Sequence, residues 1–233
     1  MNLATEISWA WRRARSPIRL VTVATIVLMP VAQQVAAAEA ELPSLATPCL
    51  VAAFVGSGLL SLDRDRGILG LILARPITRS SYVLGRWSGV VALSAICLAV
   101  QLALSLVAAV GLSGEPLPNL RDVGTWLFLS LVSVSATSAL LCLLATMLDG
   151  IGDACVLLGG TLVVLLSPEL ADRFGHYSEA RFVAAHVLSV SYPQLTLGAS
   201  LVSIATAAAS GSLALVLAIF VVNGREIPSR GEG

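Results

Sequence analysis

Lysine is absent from this chain; all 14 basic residues are arginine. A phosphate-binding loop of the GxxxxGK[ST] type needs its lysine, so the chain carries no nucleotide engine of that kind. Charge is scarce: charged residues make up 12% of the 233 positions, where a soluble domain carries about a quarter. Hydrophobic residues reach 57% and the mean hydropathy is +0.89, which excludes a soluble globular class and points to an integral membrane protein. The formal net charge is +0, and no nucleic-acid partner is expected.

Cysteine and histidine are equally sparse. Cys49, Cys97, Cys142 and Cys155 lie within apolar runs, without CxxC spacing or a nearby histidine. Neither a disulfide framework nor a zinc site is indicated, and all four read as small core residues. His176 and His186 flank Glu179 at a spacing that fits no strong metal pattern, so a solvated loop is expected there. No Ser/His/Asp set, HExxH or embedded carboxylate pair occurs. Acidic residues cluster at the ends of apolar runs, which argues against an intramembrane enzyme or a carboxylate-relay carrier. No catalytic residue, metal ligand or cofactor is assigned to this chain.

What the chain has in abundance is long apolar runs. Residues 20–38, 42–62, 87–112, 123–148, 154–168 and 195–222 read as six transmembrane helices, the fifth the shortest and least secure. Ahead of them, residues 1–19 read as an amphipathic interfacial helix. Leu3, Ile7 and Trp11 repeat every four residues, and Arg12, Arg13 and Arg15 supply positive charge. The run 36–40 resembles a signal cleavage site, but the preceding apolar region is too long for one. An uncleaved anchor is the favoured reading. Residues 169–194 form a mixed outer segment, and a polar tail follows the last run. Trp87, Trp126 and Tyr192 fall near span ends, as an aromatic belt requires.

Six spans put both termini on one side. With that side cytoplasmic, inner segments hold 11 arginines, and the outer ones hold Arg121, Arg173 and Arg181 alone. Positive residues stay inside, so both termini are expected in the cytoplasm. The fold class is therefore all-α integral membrane, a single domain across 1–233.

One inner stretch, 62–89, concentrates the unusual chemistry. It contains Asp63, Arg64, Asp65, Arg66 and Gly67, an apolar turn with Ile68, Leu69, Ile72 and Leu73 at helical spacing, then Arg75 and Pro76. Pro76 disfavours helix at Arg75, so a short amphipathic helix with a defined end is predicted in the 63–81 loop. Arg79 and Arg86 follow. A charge at the centre of a membrane helix costs about 2.5–3.5 kcal/mol on insertion scales, so these arginines are expected in or near water.

The cluster 63–67, the Leu71 to Arg79 run with Tyr82 to Arg86 leading into the third span, and the Arg225-Glu226-Ile227-Pro228 tail resemble ABC-2 type transporter permeases. The distinctive residues are confined to about 63–86 and 225–228; the family's usual Gly-Thr-Leu is Gly67-Ile68-Leu69 here. The resemblance implies a six-span permease subunit of an exporter, paired with a second permease subunit and with separate ABC ATPase subunits that hold ATP and Mg. It also implies that the 63–81 loop is the coupling helix. In that role Ile68, Leu69, Ile72 and Leu73 would anchor the ATPase, while Asp63, Arg64, Asp65, Arg66, Arg75 and Arg79 set register through charge-assisted bonds. The competing reading is a positive-inside segment on anionic membrane lipid.

Within the membrane, Ser130, Ser133 and Thr137 share one face of the fourth span, with Ser138 beside them, and Gln101 sits near the middle of the third. These residues are candidates for a translocation path, although such groups more often serve helix packing. Gly85 and Gly89 form a small-xxx-small pair suited to close helix contact. Arginine-only, alanine-rich usage suggests a GC-rich bacterium, hence the cell (inner or plasma) membrane. Alternatives to a transporter are a membrane component of a complex maturing a periplasmic enzyme, a membrane-embedded enzyme, and a scaffold.

Overall fold

The computed structural model describes residues 5, 7, 8, 11, 12, 16–37, 46–57, 63, 78–113, 119–148, 152, 153, 155–157, 159 and 197–224. Among the described residues the secondary structure is helical, with no strand. The principal helices are α1 (Pro17–Ala37), α2 (Ala46–Gly56), α3 (Arg79–Ala108), α4 (Leu120–Met147) and α5 (Leu197–Gly224). Among the described residues three stretches, Arg79–Gly111, Leu120–Met147 and Ile204–Gly224, are long and apolar enough to cross a membrane.

Local chemistry sets the helix ends. Pro17 opens α1, where its missing N–H costs nothing, and the Ser16 carbonyl accepts the first bond from Leu20 N at 2.9 Å. Pro30 removes one bond from the interior of α1. α2 has 11 residues; at 1.5 Å per residue it spans about 16 Å, roughly half of a hydrocarbon core. The remainder of the span expected over 42–62 lies outside the described residues, apart from Ser57.

α3 begins earlier than the sequence suggested. Thr78 caps it, its hydroxyl accepting from Ser81 N at 3.2 Å, so residues 79–86 are helical rather than part of the loop or the approach to a span at 87. Tyr82 and Val83, both buried, extend the apolar stripe into that first turn. At its far end α3 widens into a π-helical turn, Ala109–Ser113. Asp122 lies in the first turn of α4, where a negative side chain complements the helix dipole.

Side-chain contacts give the relative directions. Trp87 Nε1 near the start of α3 donates to the Ser135 carbonyl at 3.1 Å, and Leu98 and Leu102 further along share a cluster with Trp126. α3 and α4 are therefore antiparallel. Arg79, the first residue of α3, donates to the Val222 and Asn223 carbonyls at 3.2 and 3.0 Å, so α5 ends where α3 starts.

The α4–α5 seam is built from small residues. A Cβ on Gly211 would lie 2.9 Å from Ala136 Cα, and Ala207, Ala214 and Ala218 are buried alongside. The opposite face of α5 carries Leu213, Val216 and Phe220, the last 74% exposed. Small residues against a neighbouring helix and large apolar ones outward is the arrangement a lipid solvent favours. The main core joins α1, α2 and α3 through Val27, Val51, Val55, Val90 and Leu93.

Three residues sit differently from their sequence-based placement. Trp126 is fully buried beside Leu98 and Leu102 rather than at a belt position, because it occupies the α4 face that meets α3. Cys155 is exposed, unlike buried Cys49 and Cys142. Arg86 is buried rather than solvated, for the reason given next.

Candidate functional site

At the end of the bundle where α3 begins, Asp63 is 4% exposed and Arg86 5%. Arg86 Nη2 lies 2.9 Å from Asp63 Oδ2, and the Tyr82 hydroxyl donates to the same oxygen at 2.7 Å. Tyr82 and Arg86 stand four residues apart on α3, hence on one face, and the guanidinium carbon lies 5.1 Å from the Tyr82 ring centroid. The carboxylate, not water, is what stabilises the Arg86 charge. Beside this cluster, Arg79 closes the carbonyl end of α5, where a cation complements the helix dipole.

Two of the residues expected to touch a partner make bonds within the bundle: buried Asp63 with α3, and half-buried Arg79 with the end of α5. Arg64, Asp65, Arg66, Gly67, Ile68, Leu69, Ile72, Leu73, Arg75 and Pro76 lie outside the described residues, as do His176, Glu179, His186 and the 169–194 segment. Of the N-terminal helix, Thr5, Ile7, Ser8, Trp11 and Arg12 are described and helical.

A second polar feature runs along the buried face of α3. From Arg86 it continues through Ser94 and Gln101 to Ser105, buried positions spaced by two, two and one helical turns. On α4, Ser130, Ser133, Thr137 and Ser138 are also buried. Cys49 of α2 lies between helices, its sulfur 2.8 Å from Ser133 Oγ and 3.4 Å from Thr137 Oγ1. Ser133 and Thr137 are thus used in joining α2 to α4. Among the described residues, both amide atoms of Gln101 and the hydroxyls of Ser94, Ser105, Ser130 and Ser138 have no hydrogen-bond partner.

Sequence reading missed the Asp63–Tyr82–Arg86 association, the bridging role of Cys49, and the company of Ser94 and Ser105. The four-residue spacing of Tyr82 and Arg86 was a usable signal, as was that between Gln101 and Ser105. Among the described residues no three His, Cys, Asp or Glu side chains converge as a metal site would require.

Grooves open between the described helices. One of about 390 Å³ is lined by Trp87, Phe128, Ser135, Gly211 and Leu215 among others. Another of about 330 Å³ lies between α1 and α3, lined by Trp11, Leu20, Val27, Ile96 and Val100 among others. Comparison with protein-family models, with curated proteins and with solved structures finds no match for this chain.

Proposed function

We propose that this chain is the permease subunit of an ATP-driven exporter of the ABC-2 type, resident in a bacterial cell membrane with both termini in the cytoplasm. A separate ABC ATPase subunit binds ATP and Mg, and a second permease subunit completes the translocation unit. The observation that carries this reading is the buried Asp63–Arg86 pair with its Tyr82 bond. A loop that receives force from a motor must be fixed to the helices it moves. Asp63 ties the start of the 63–81 loop to α3, and Arg79 ties its end to α5.

On this reading Asp63 and Arg79 are joints, and partner contact falls to the intervening residues. Arg64, Arg66 and Arg75 supply charge; Ile68, Leu69, Ile72 and Leu73 supply the apolar surface. ATP-driven closure of the motor biases the bundle between two arrangements through that loop. The translocation path runs past Gln101 and Ser130, with Ser133 and Thr137 fixing its wall through Cys49. Membrane lipid covers the apolar grooves.

The test is co-purification of the native complex from membranes, followed by mass spectrometry of its partners. An ATPase subunit with a phosphate-binding lysine is expected, and the double replacement Arg66→Glu with Gly67→Leu should remove it. Normal co-purification of the ATPase with that variant would sink the coupling role of the loop.

A further inference from the structure

Among the described residues, the buried faces of α3 and α4 carry polar groups that no described partner satisfies. Gln101 is 0% exposed, yet neither its amide nitrogen nor its oxygen meets a protein partner. Ser94 and Ser130 are also 0% exposed and Ser105 is 4% exposed, all with unpartnered hydroxyls. A serine in a helix can turn its hydroxyl to the carbonyl one turn back. A glutamine side chain offers two N–H donors and an acceptor, so one local bond leaves the rest of it unmet. In hydrocarbon, where solvent supplies no bonds, such a group is especially unfavourable.

We propose that the buried Ser94–Gln101–Ser105 face of α3, together with buried Ser130 of the antiparallel α4, is an internal hydration site, seating water whenever α3 and α4 part slightly. The ligand chemistry follows from the residues. Between Arg86 and Ser105 on α3, and from Trp126 to Ser138 on α4, no charged residue occurs. The site therefore suits a small neutral molecule that both donates and accepts hydrogen bonds. Its amide and hydroxyls match the two to four polar partners that a buried water needs. Their atoms are closed off in the packed arrangement, so filling the site requires helix separation. Trp126 and Val134, fully buried beside Leu98 and Leu102, form an apolar stretch of the same seam and supply a dry reference. The inference stands whether or not the chain is a transporter subunit.

The experiment uses the full chain in lipid vesicles, with Cys49→Ser retaining the bridge and Cys97, Cys142 and Cys155 changed to Ala. Ser130→Cys and Val134→Cys are then treated separately with a water-soluble methanethiosulfonate carrying an ammonium group, which reacts with the thiolate and so needs water at the site. Ser130→Cys should label about tenfold faster than Val134→Cys, and adding Gln101→Leu should slow it several-fold. Equal rates at the two positions, or a Ser130→Cys rate indifferent to Gln101→Leu, would overturn the proposal. Ser94→Cys replaces Ser130→Cys as reporter if the latter fails to fold.

Discussion

Asp63 and Arg86 illustrate what a single buried pair contributes. Each charge taken out of water alone is strongly unfavourable, and their contact at 2.9 Å, reinforced by the Tyr82 hydroxyl, offsets that. Removing one partner leaves the other charge buried, so Arg86→Met should lower the unfolding free energy by about 3–5 kcal/mol. Combining it with Asp63→Leu should recover most of the loss. Denaturant titration in mixed micelles measures both; a double variant as unstable as the single one would show that packing, not charge, dominates at this joint. Neither partner was identifiable from sequence. Asp63 is visible as an acid after an apolar run and Arg86 as a base before another, but their 23-residue separation is closed only by the fold. Gln101 shows the same limit: its polarity is plain in the sequence, its full burial is not.

At the scale of elements, lipid solvent makes run length nearly a direct readout of helix length, and three of the apolar runs recur as described helices long enough to span. α4 at Leu120–Met147 and α5 at Leu197–Gly224 fall within a few residues of the expected spans at 123–148 and 195–222. α3 departs from expectation because a cap outranks hydropathy: Thr78 starts the helix although Arg79, Ser80 and Ser81 are polar. Helix pairing was less legible, since small residues are common throughout the chain and only some mark a contact. Gly211 does so, with Ala136 Cα 2.9 Å from where its Cβ would stand. Gly211→Leu should therefore force α4 and α5 apart and destabilise by about 1–3 kcal/mol. Gly124, helical and with nothing within 4 Å, should behave oppositely, Gly124→Ala gaining about 0.5–1 kcal/mol. Unfolding midpoints of the two variants check this pair; equal effects would mean that the α4–α5 approach is not close in solution.

For the whole molecule, Asp63 bonds to the first turns of α3 and Arg79 joins the start of α3 to the end of α5. On the proposed topology, drawn from the positive-inside bias of the sequence, that end faces the cytoplasm. Cysteine accessibility labelling at Ser80→Cys and Ser178→Cys tests the assignment: Ser80→Cys should react from the cytoplasmic side and Ser178→Cys from the outside, whereas a cytoplasmic Ser178→Cys would invert or break the six-span topology. Function was the least legible level. The residues expected to meet a motor, 64–76, act through a partner, so their pattern in the sequence does not by itself define their role. The most direct measurement is ATP turnover by the co-purified ATPase subunit in vesicles, with this chain, without it, and with its Arg66→Glu variant. The expected result is turnover that rises with the chain and falls back with Arg66→Glu. Turnover unaffected by either would contradict a coupling role.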